Sequence, residues 1–409
     1  MLAIYKREVV SYLRSFIGFL FMAFLLFFVG LYFVAYNVAY GYPYLSMALS
    51  SSSFVFFIAV PVLTMKVLAE ERKNKTDQLI LTAPVSVGKI VLGKYLALVT
   101  LFAIPVLIIC IYPLVLSAFG SVPMPEAYTA IFGFLLYGMT CLAIGLFVSS
   151  ITESQVIAAV VGFAVLFVGY LMSGICSMIS STGNIVTKIL SGYDLLSSFS
   201  QFMNGTFSLS SVVYFLSLIG FFLFLTTQSI QKRRWSMSKN KITFGAFSTT
   251  SIVLVLGVVI VANLIMTKLP SQYTSFDITS NQLYSVGEET KEFLQGLQED
   301  VTIYVMADEA SQDNVLGETL KRYEQNSKHI TVEYVNPVVS PNFYKQYTSE
   351  SISSNSLIVV CGEKSRVIDK LSQQFLRFIR KLLRCLYYQC YIVVTTYLFI
   401  SERRHTFSF

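Results

Sequence analysis

Seven long apolar runs, at about residues 16–38, 53–69, 90–117, 127–149, 155–178, 210–230 and 248–267, constrain what this chain can become. Each approaches the roughly 20 residues that a helix needs to cross a bilayer core. Within lipid every backbone N–H and C=O must be bonded inside the protein, which leaves the helix as the form for runs of this kind. The expectation is a polytopic α-helical membrane protein. Composition agrees, since 55% of the 409 residues are hydrophobic and 13% are charged, too apolar a balance for one soluble domain. The second run is the shortest, and its Lys66 can snorkel to the interface. Pro61, Pro105 and Pro113 fall inside runs, where kinks are tolerated if neighbours satisfy the freed carbonyls. The basic N-terminus and first run resemble a signal peptide. That run is long and lacks a small-residue cleavage site, so it reads as an uncleaved span.

Lys and Arg placement sets the direction. Lys6, Arg7 and Arg14 precede the first run; Arg72, Lys73, Lys75 and Lys89 lie between the second and third; Lys232, Arg233, Arg234, Lys239 and Lys241 follow the sixth. The alternate connections, near 39–52, 118–126 and 179–209, hold only Lys188. Seven spans with a cytoplasmic N-terminus fit every loop, and the seventh delivers residues from 269 onward to the outer side. Ahead of the first span Leu2, Tyr5, Val9, Tyr12, Leu13 and Phe16 recur at helical spacing. They fit either a helix lying in the cytoplasmic interface or a basic flank that only orients the span.

Beyond Pro270 the sequence turns soluble in texture. Ser285-Val286-Gly287-Glu288 has capping-box form and opens a helix to Leu297. Val301–Met306 reads as a strand, Leu316, Leu320 and Tyr323 mark a helix, Ile330, Val332 and Tyr334 alternate as a strand, and Leu357–Val360 forms a short buried one. These elements predict a small α/β extracytoplasmic domain. Residues 269–369 hold seven Lys/Arg against fifteen Asp/Glu, which excludes phosphate backbones, so nucleic acid is not a partner. The formal charge of +7 comes almost wholly from residues 370–409. That tail reads as non-native, as a reading-frame error that truncates the outer domain would make it; the alternative is an eighth span, which basic residues on both flanks disfavour. His329, the only histidine of the outer domain, reads as a solvated side chain, and the scattered carboxylates as a solvated acidic face. No cysteine spacing fits a zinc site or a redox pair.

Gly88-Lys89-Ile90-Val91-Leu92-Gly93-Lys94 matches most of a nucleotide phosphate loop. Tyr95 stands where the magnesium-holding hydroxyl belongs, and no strand precedes it, so the match reads as chance. Asn74-Lys75-Thr76 and Asn204-Gly205-Thr206 have glycosylation form without supporting context. Residues 70–86 say more. A solvated charged turn is the bland reading, but Leu79, Ile80 and Leu81 followed by Pro84-Val85-Ser86 make a short amphipathic element with an abrupt stop. Such an element can enter a groove on a cytoplasmic partner while Glu70, Glu71, Arg72 and Asp77 orient it.

Glu70-Glu71-Arg72 through Leu81-Thr82-Ala83-Pro84-Val85-Ser86, with Val91-Leu92-Gly93-Lys94-Tyr95, resembles the coupling loop of type-2 ABC export permeases, especially the gliding-motility Gld permease group. Phe199–Gly205 through Val213-Tyr214-Phe215 is similar to that group's stretch before its sixth span. Phe276-Asp277-Ile278-Thr279-Ser280-Asn281, Tyr284-Ser285 and Val301–Val305 resemble the start of the Gld auxiliary subunit. The resemblance implies a six-span permease over 1–235, a linker and seventh span over 236–270, an extracytoplasmic auxiliary domain over 271–369 and the odd tail over 370–409. It implies a bacterial cytoplasmic membrane, a second permease copy, and a separate ABC ATPase that carries the ATP and magnesium, with no cofactor on this chain. Glu70, Glu71, Arg72, Thr76, Asp77, Gln78, Leu81, Pro84, Val85 and Ser86 would contact that ATPase, and Phe199, Phe202 and Gly205 would belong to an outer gate. A membrane scaffold or sensor that binds a ligand without moving a solute is the alternative. An intramembrane enzyme is disfavoured because no paired His, Asp or Glu lies inside a span.

Overall fold

The structure, a computed structural model, describes residues 1–76, 85–179, 190–235, 241–269, 274–278 and most of 294–368. It divides into two units between Gln282 and Leu283. The first unit is helical: α1 (Leu2–Leu13), α2 (Phe16–Tyr32), α3 (Leu45–Ser52), α4 (Val55–Met65), α5 (Val87–Ile109), α6 (Tyr112–Ser117), α7 (Met124–Ile151), α8 (Gln155–Ile179), α9 (Leu195–Met203), the strand β1 (Thr206–Ser208), α10 (Leu209–Trp235), α11 (Lys241–Lys268) and the strand β2 (Ser275–Asp277). Among the described residues six helical stretches are long and apolar enough to cross a membrane, and α3 with Val55–Lys73 forms a bent pair that makes a seventh if counted as one span. The chain is thus a polytopic helical membrane protein with a small α/β domain.

The first span begins where Ser15 accepts a hydrogen bond from the Ile17 amide, the cap expected of a serine before an apolar run. It ends in a π-helical stretch, Phe33–Ala39. Buried Asn37 sits there and donates to the carbonyls of Tyr42 and Tyr44, and Gly41 supplies the positive φ of that turn. The connection expected near 39–52 is not a plain loop: α3 lies within it, with Leu45, Ala48, Leu49 and Ser52 buried, and bends by 54° into the second span. Its serines resemble loop residues in sequence, but Ser52 returns its hydroxyl to the Leu49 carbonyl and so leaves no open polar group. Pro61 and Pro105 are accommodated within α4 and α5, whereas Pro113 stands at the start of the separate helix α6.

Enclosed by the others, α7 is the axis of the bundle, 28 residues without interruption. Apolar burial gives helices in lipid little reason to associate, so close packing through small residues carries the contact. Gly138 faces the rings of Phe102 and Phe56, and Gly145 faces Thr64. The rings of Phe56, Phe102, Phe134 and Tyr137 meet at 4.9–6.2 Å between centroids. A Cβ at Gly138 would overlap Phe102. Gly138→Val is therefore expected to cost about 1–3 kcal/mol by overpacking, seen as a lower Tm in detergent.

The second unit contains β3 (Val301–Met306), α12 (Asn314–Asn326), β4 (Ile330–Tyr334), β5 (Ser356–Cys361) and β6 (Lys364–Ile368). Its sheet runs β4-β3-β5-β6, with β3 and β4 parallel and the other pairs antiparallel. Val301, Ile303, Val305, Leu316, Leu320, Tyr323 and Leu357 form the core, following the strand alternation and helical spacing in the sequence. β6 has no counterpart among the expected elements, because Lys364, Ser365 and Arg366 make it an exposed, charged edge. His329 is exposed beside Asp300, Nδ1 to Oδ1 2.8 Å. The expected helix from Ser285 lies mostly outside the described residues, as do Cys385, Cys390 and the tail. Among the described residues, Cys110, Cys141, Cys176 and Cys361 are not joined in disulfides.

Candidate functional site

At one end of α7 four elements converge: α1, the end of the second span, the start of α5, and the residues after Ile151. Lys94 lies at their centre, 1% exposed. A lysine without partners could not stay charged there. Its Nζ donates to Glu71 Oε1 at 2.7 Å, Glu8 Oε1 at 3.1 Å and the Val67 carbonyl at 3.3 Å. Arg7 Nη2 reaches the same two carboxylates, at 2.6 Å to Glu8 and 3.3 Å to Glu71. α1 is thereby fastened to both the second and third spans, and Tyr5 adds a hydroxyl contact to Thr100 at 3.0 Å. The segment is helical, with Glu8 and Tyr12 buried.

The second span ends in a π-helical turn, Lys66–Glu70, then Glu71–Lys73. Such a turn leaves backbone amides off the regular ladder. Ser149 of α7 answers by accepting from the amides of Leu68 at 3.2 Å and Ala69 at 3.1 Å. Arg72 Nη1 donates to the Ile151 carbonyl at 2.5 Å, at the C-terminus of α7, and Nη2 pairs with Glu153 at 2.8 Å. A cation on a helix C-terminus is favoured by the dipole as well as by the hydrogen bond. Thr76 bonds back to the Glu71 carbonyl, and Lys75 takes a positive φ of 57°. Lys73, Asn74, Lys75 and Thr76 are exposed at this turn.

Among the expected contact residues, Glu71 and Arg72 are thus engaged within the chain. Glu70 sits 3.8 Å from Lys66, Val85 is half-buried, and exposed Ser86 precedes α5, its carbonyl accepting from the Lys89 amide at 3.0 Å. Asp77, Gln78, Leu81 and Pro84 lie outside the described residues. The glycine-lysine stretch from Gly88 is helical, and from Lys89 on its amides bond within the helix, starting with Lys89 and Ile90 to the Ser86 carbonyl, so it does not form the open loop that cradles a phosphate. Beside this network a pocket of about 550 Å³ opens, lined among others by Arg7, Tyr12, Lys66, Glu70 and Thr76. No group of three metal-ligating side chains assembles among the described residues.

Lys94 was not among the expected site residues. Its signal was a lysine early in an apolar run, matched by Glu8 in the middle of an amphipathic segment. Burial alone would raise the Glu8 carboxyl, yet Lys94 and Arg7 outweigh it and hold the group below its ordinary 4.5. A carboxyl depressed by folding stabilises above its unfolded value, and that contribution is lost as pH falls through the folded one. Tm in detergent is expected to stay level from pH 7 to about 5 on this account and to drop below about 4.5, and Glu8→Gln is expected to shrink that drop.

The expected gate residues lie toward the other end of α7. Gly133 and Ile151 are 18 positions apart on one helix, roughly 27 Å at 1.5 Å per residue. α9 starts at Asp194, whose carboxylate accepts from the amides of Leu196 and Ser197, both at 3.1 Å; burial pushes that carboxyl above its ordinary range, more than the two amides pull it down. Phe199 stacks on Tyr137 at 4.8 Å. Phe202 presses on Gly133, where a Cβ would collide with it. Gly205 takes φ 77° in the turn to β1, a conformation suited to glycine.

Residues 36–227 match the family model described as ABC-2 family transporter protein. Residues 280–372 match one described as a domain of unknown function (DUF7088). No curated protein matches the chain. The first match supports a type-2 ABC permease, whose membrane domain is a transport subunit that works with an ABC ATPase.

Proposed function

We propose that the chain is the export permease of an ATP-driven transporter in a bacterial cytoplasmic membrane. Two copies, or one copy and a homologue, would form the path. A separate ABC ATPase docks from the cytoplasm on the segment 70–86. One observation carries the docking reading: that segment is braced at its base by Glu71, Arg72 and Ser149 while Lys73–Thr76 stand exposed beyond the brace. A solvated tether needs no brace. A lever does, because force applied at its tip must reach the bundle.

α7 offers the route. Arg72 and Ser149 join the lever to its C-terminal turn, and Gly133 joins its far part to Phe202, so a push on the lever moves a rigid rod that ends beside the outer mouth. Rigid-body rocking between inward-open and outward-open states is the motion such a rod transmits. Residues 271–369, on the outer side, would belong to a Gld-type auxiliary module.

Co-purification with a co-expressed ABC ATPase tests docking. Lys73→Glu with Lys75→Glu changes exposed side chains only and is expected to weaken association about tenfold or more while leaving Tm unchanged. Undiminished association of the double variant would count against the tip as the contact. A chain that associates with no ATPase would favour the scaffold reading.

A further inference from the structure

The strand β2, which follows the seventh span, does not stand apart from the permease: it pairs antiparallel with β1, Thr206 opposite Asp277, Phe207 opposite Phe276 and Ser208 opposite Ser275. The Ile278 amide extends the ladder to the Gly205 carbonyl at 3.1 Å. β1 is joined to the mouth on three sides. Phe207 lies 5.7 Å from Phe132 and 6.1 Å from Phe202. Thr206 donates to the Gln201 carbonyl of α9 at 2.7 Å, and Ser208 accepts from the Ser211 amide at the start of α10.

The seventh span is held as well. Asn263 of α11 donates to Ser217 of α10 at 2.9 Å, and Ser248 donates to Gln228 at 2.9 Å. In hydrocarbon such interhelical bonds fix register, since the alternative is an unsatisfied polar group. β2 therefore hangs from a helix that cannot slide freely along α10. Its pairing with β1 is short, three residues, and Phe276 is half exposed. A ladder of that size sits among the least stable parts of a fold, where opening is local.

We propose that Ser275–Ile278 is a strap on the outer mouth: the ladder with Thr206–Ser208 restrains α9 and Phe202, so that the chain following the strap has a mechanical hold on the gate. This rests on the reading of Phe199–Gly205 as the outer mouth. The occupant of the β1 edge is this chain's own β2, and its recognition is by main-chain hydrogen bonds, as in strand addition.

Hydrogen–deuterium exchange of the full chain in nanodiscs, without ATP or cargo, tests the strap apart from transport. Phe276→Pro removes a ladder N–H, and exchange of the α9 amides of residues 199–203 is expected to rise about tenfold, the effect of losing one or two net hydrogen bonds from a local opening. The Gly205–Ile278 bond makes Thr206 and Asp277 a non-hydrogen-bonded pair, with Cα atoms about 4.5 Å apart, within disulfide reach. Oxidised Thr206→Cys/Asp277→Cys is expected to slow α9 exchange below the parent, and reduction to restore it. If the proline variant does not fold, the reversible disulfide decides alone. Unchanged α9 exchange with the disulfide formed, or failure of the pair to oxidise, would overturn the strap. Either result leaves docking of the ATPase at the opposite end untouched.

Discussion

Lys94→Met is expected to be the most damaging single substitution in the bundle. The methionine matches the stem of the lysine, so packing is kept and the charge alone is lost. Glu8 and Glu71, with side chains 11% and 19% exposed, would then face each other with only Arg7 between them. Breaking a buried pair from one side costs about 3–5 kcal/mol because the remaining charge has no compensation, and Arg7 places this case at the lower end. Thermal melting in detergent checks it. The same principle gives the informative control: Lys94→Met with Glu8→Gln and Glu71→Gln removes all three charges and is expected to recover most of the lost Tm, since neutral replacement of a whole buried cluster is often tolerated. A triple variant as unstable as Lys94→Met would show that the network matters for its shape and not for its balance of charge.

Arg72→Ala is expected to have the largest effect on transport relative to its effect on stability. The guanidinium pairs with an exposed Glu153 and caps a helix terminus, interactions together worth about 1–2 kcal/mol. Tm should therefore move little. Yet in the proposed coupling Arg72 and Ser149 are the ties among the described residues between segment 70–86 and α7, so ATP-driven transport in vesicles is expected to fall by an order of magnitude or more while ATPase association persists, the signature of lost coupling in a rigid-body switch. Arg72→Lys keeps the charge without the two-pronged geometry and is expected to restore only part of the rate. Charge reversal at Glu71 and Arg72 together would not isolate docking, because it also breaks the Lys94 network.

The membrane spans were legible because lipid demands long, uninterrupted apolar runs, and the structure places span ends within a few residues of the run ends. The second unit was legible for a similar reason: Val301, Ile303 and Val305 alternate, while Leu316, Leu320 and Tyr323 keep helical spacing. α3 was not, since a helix written Leu-Ser-Met-Ala-Leu-Ser-Ser-Ser shows its burial only when Ser52 is seen bonded to the Leu49 carbonyl. The candidate site was half legible. Segment 70–86 announces itself by charge and by its abrupt stop, but nothing local ties Lys94 to Glu8, 86 positions away. Likewise β1 and β2, three residues each, carry too little pattern to predict a ladder between residues so far apart in sequence.

Docking of an ABC ATPase on the exposed tip is the central claim, and site-specific photocrosslinking addresses it most directly. A photoreactive residue placed at Lys75 or Thr76 of the full chain, co-expressed with the ATPase, should capture that ATPase, whereas the same residue at Ser121, in the connection before α7, should not. Capture from Ser121 but not from 75 or 76 would contradict both the docking site and the orientation of the chain.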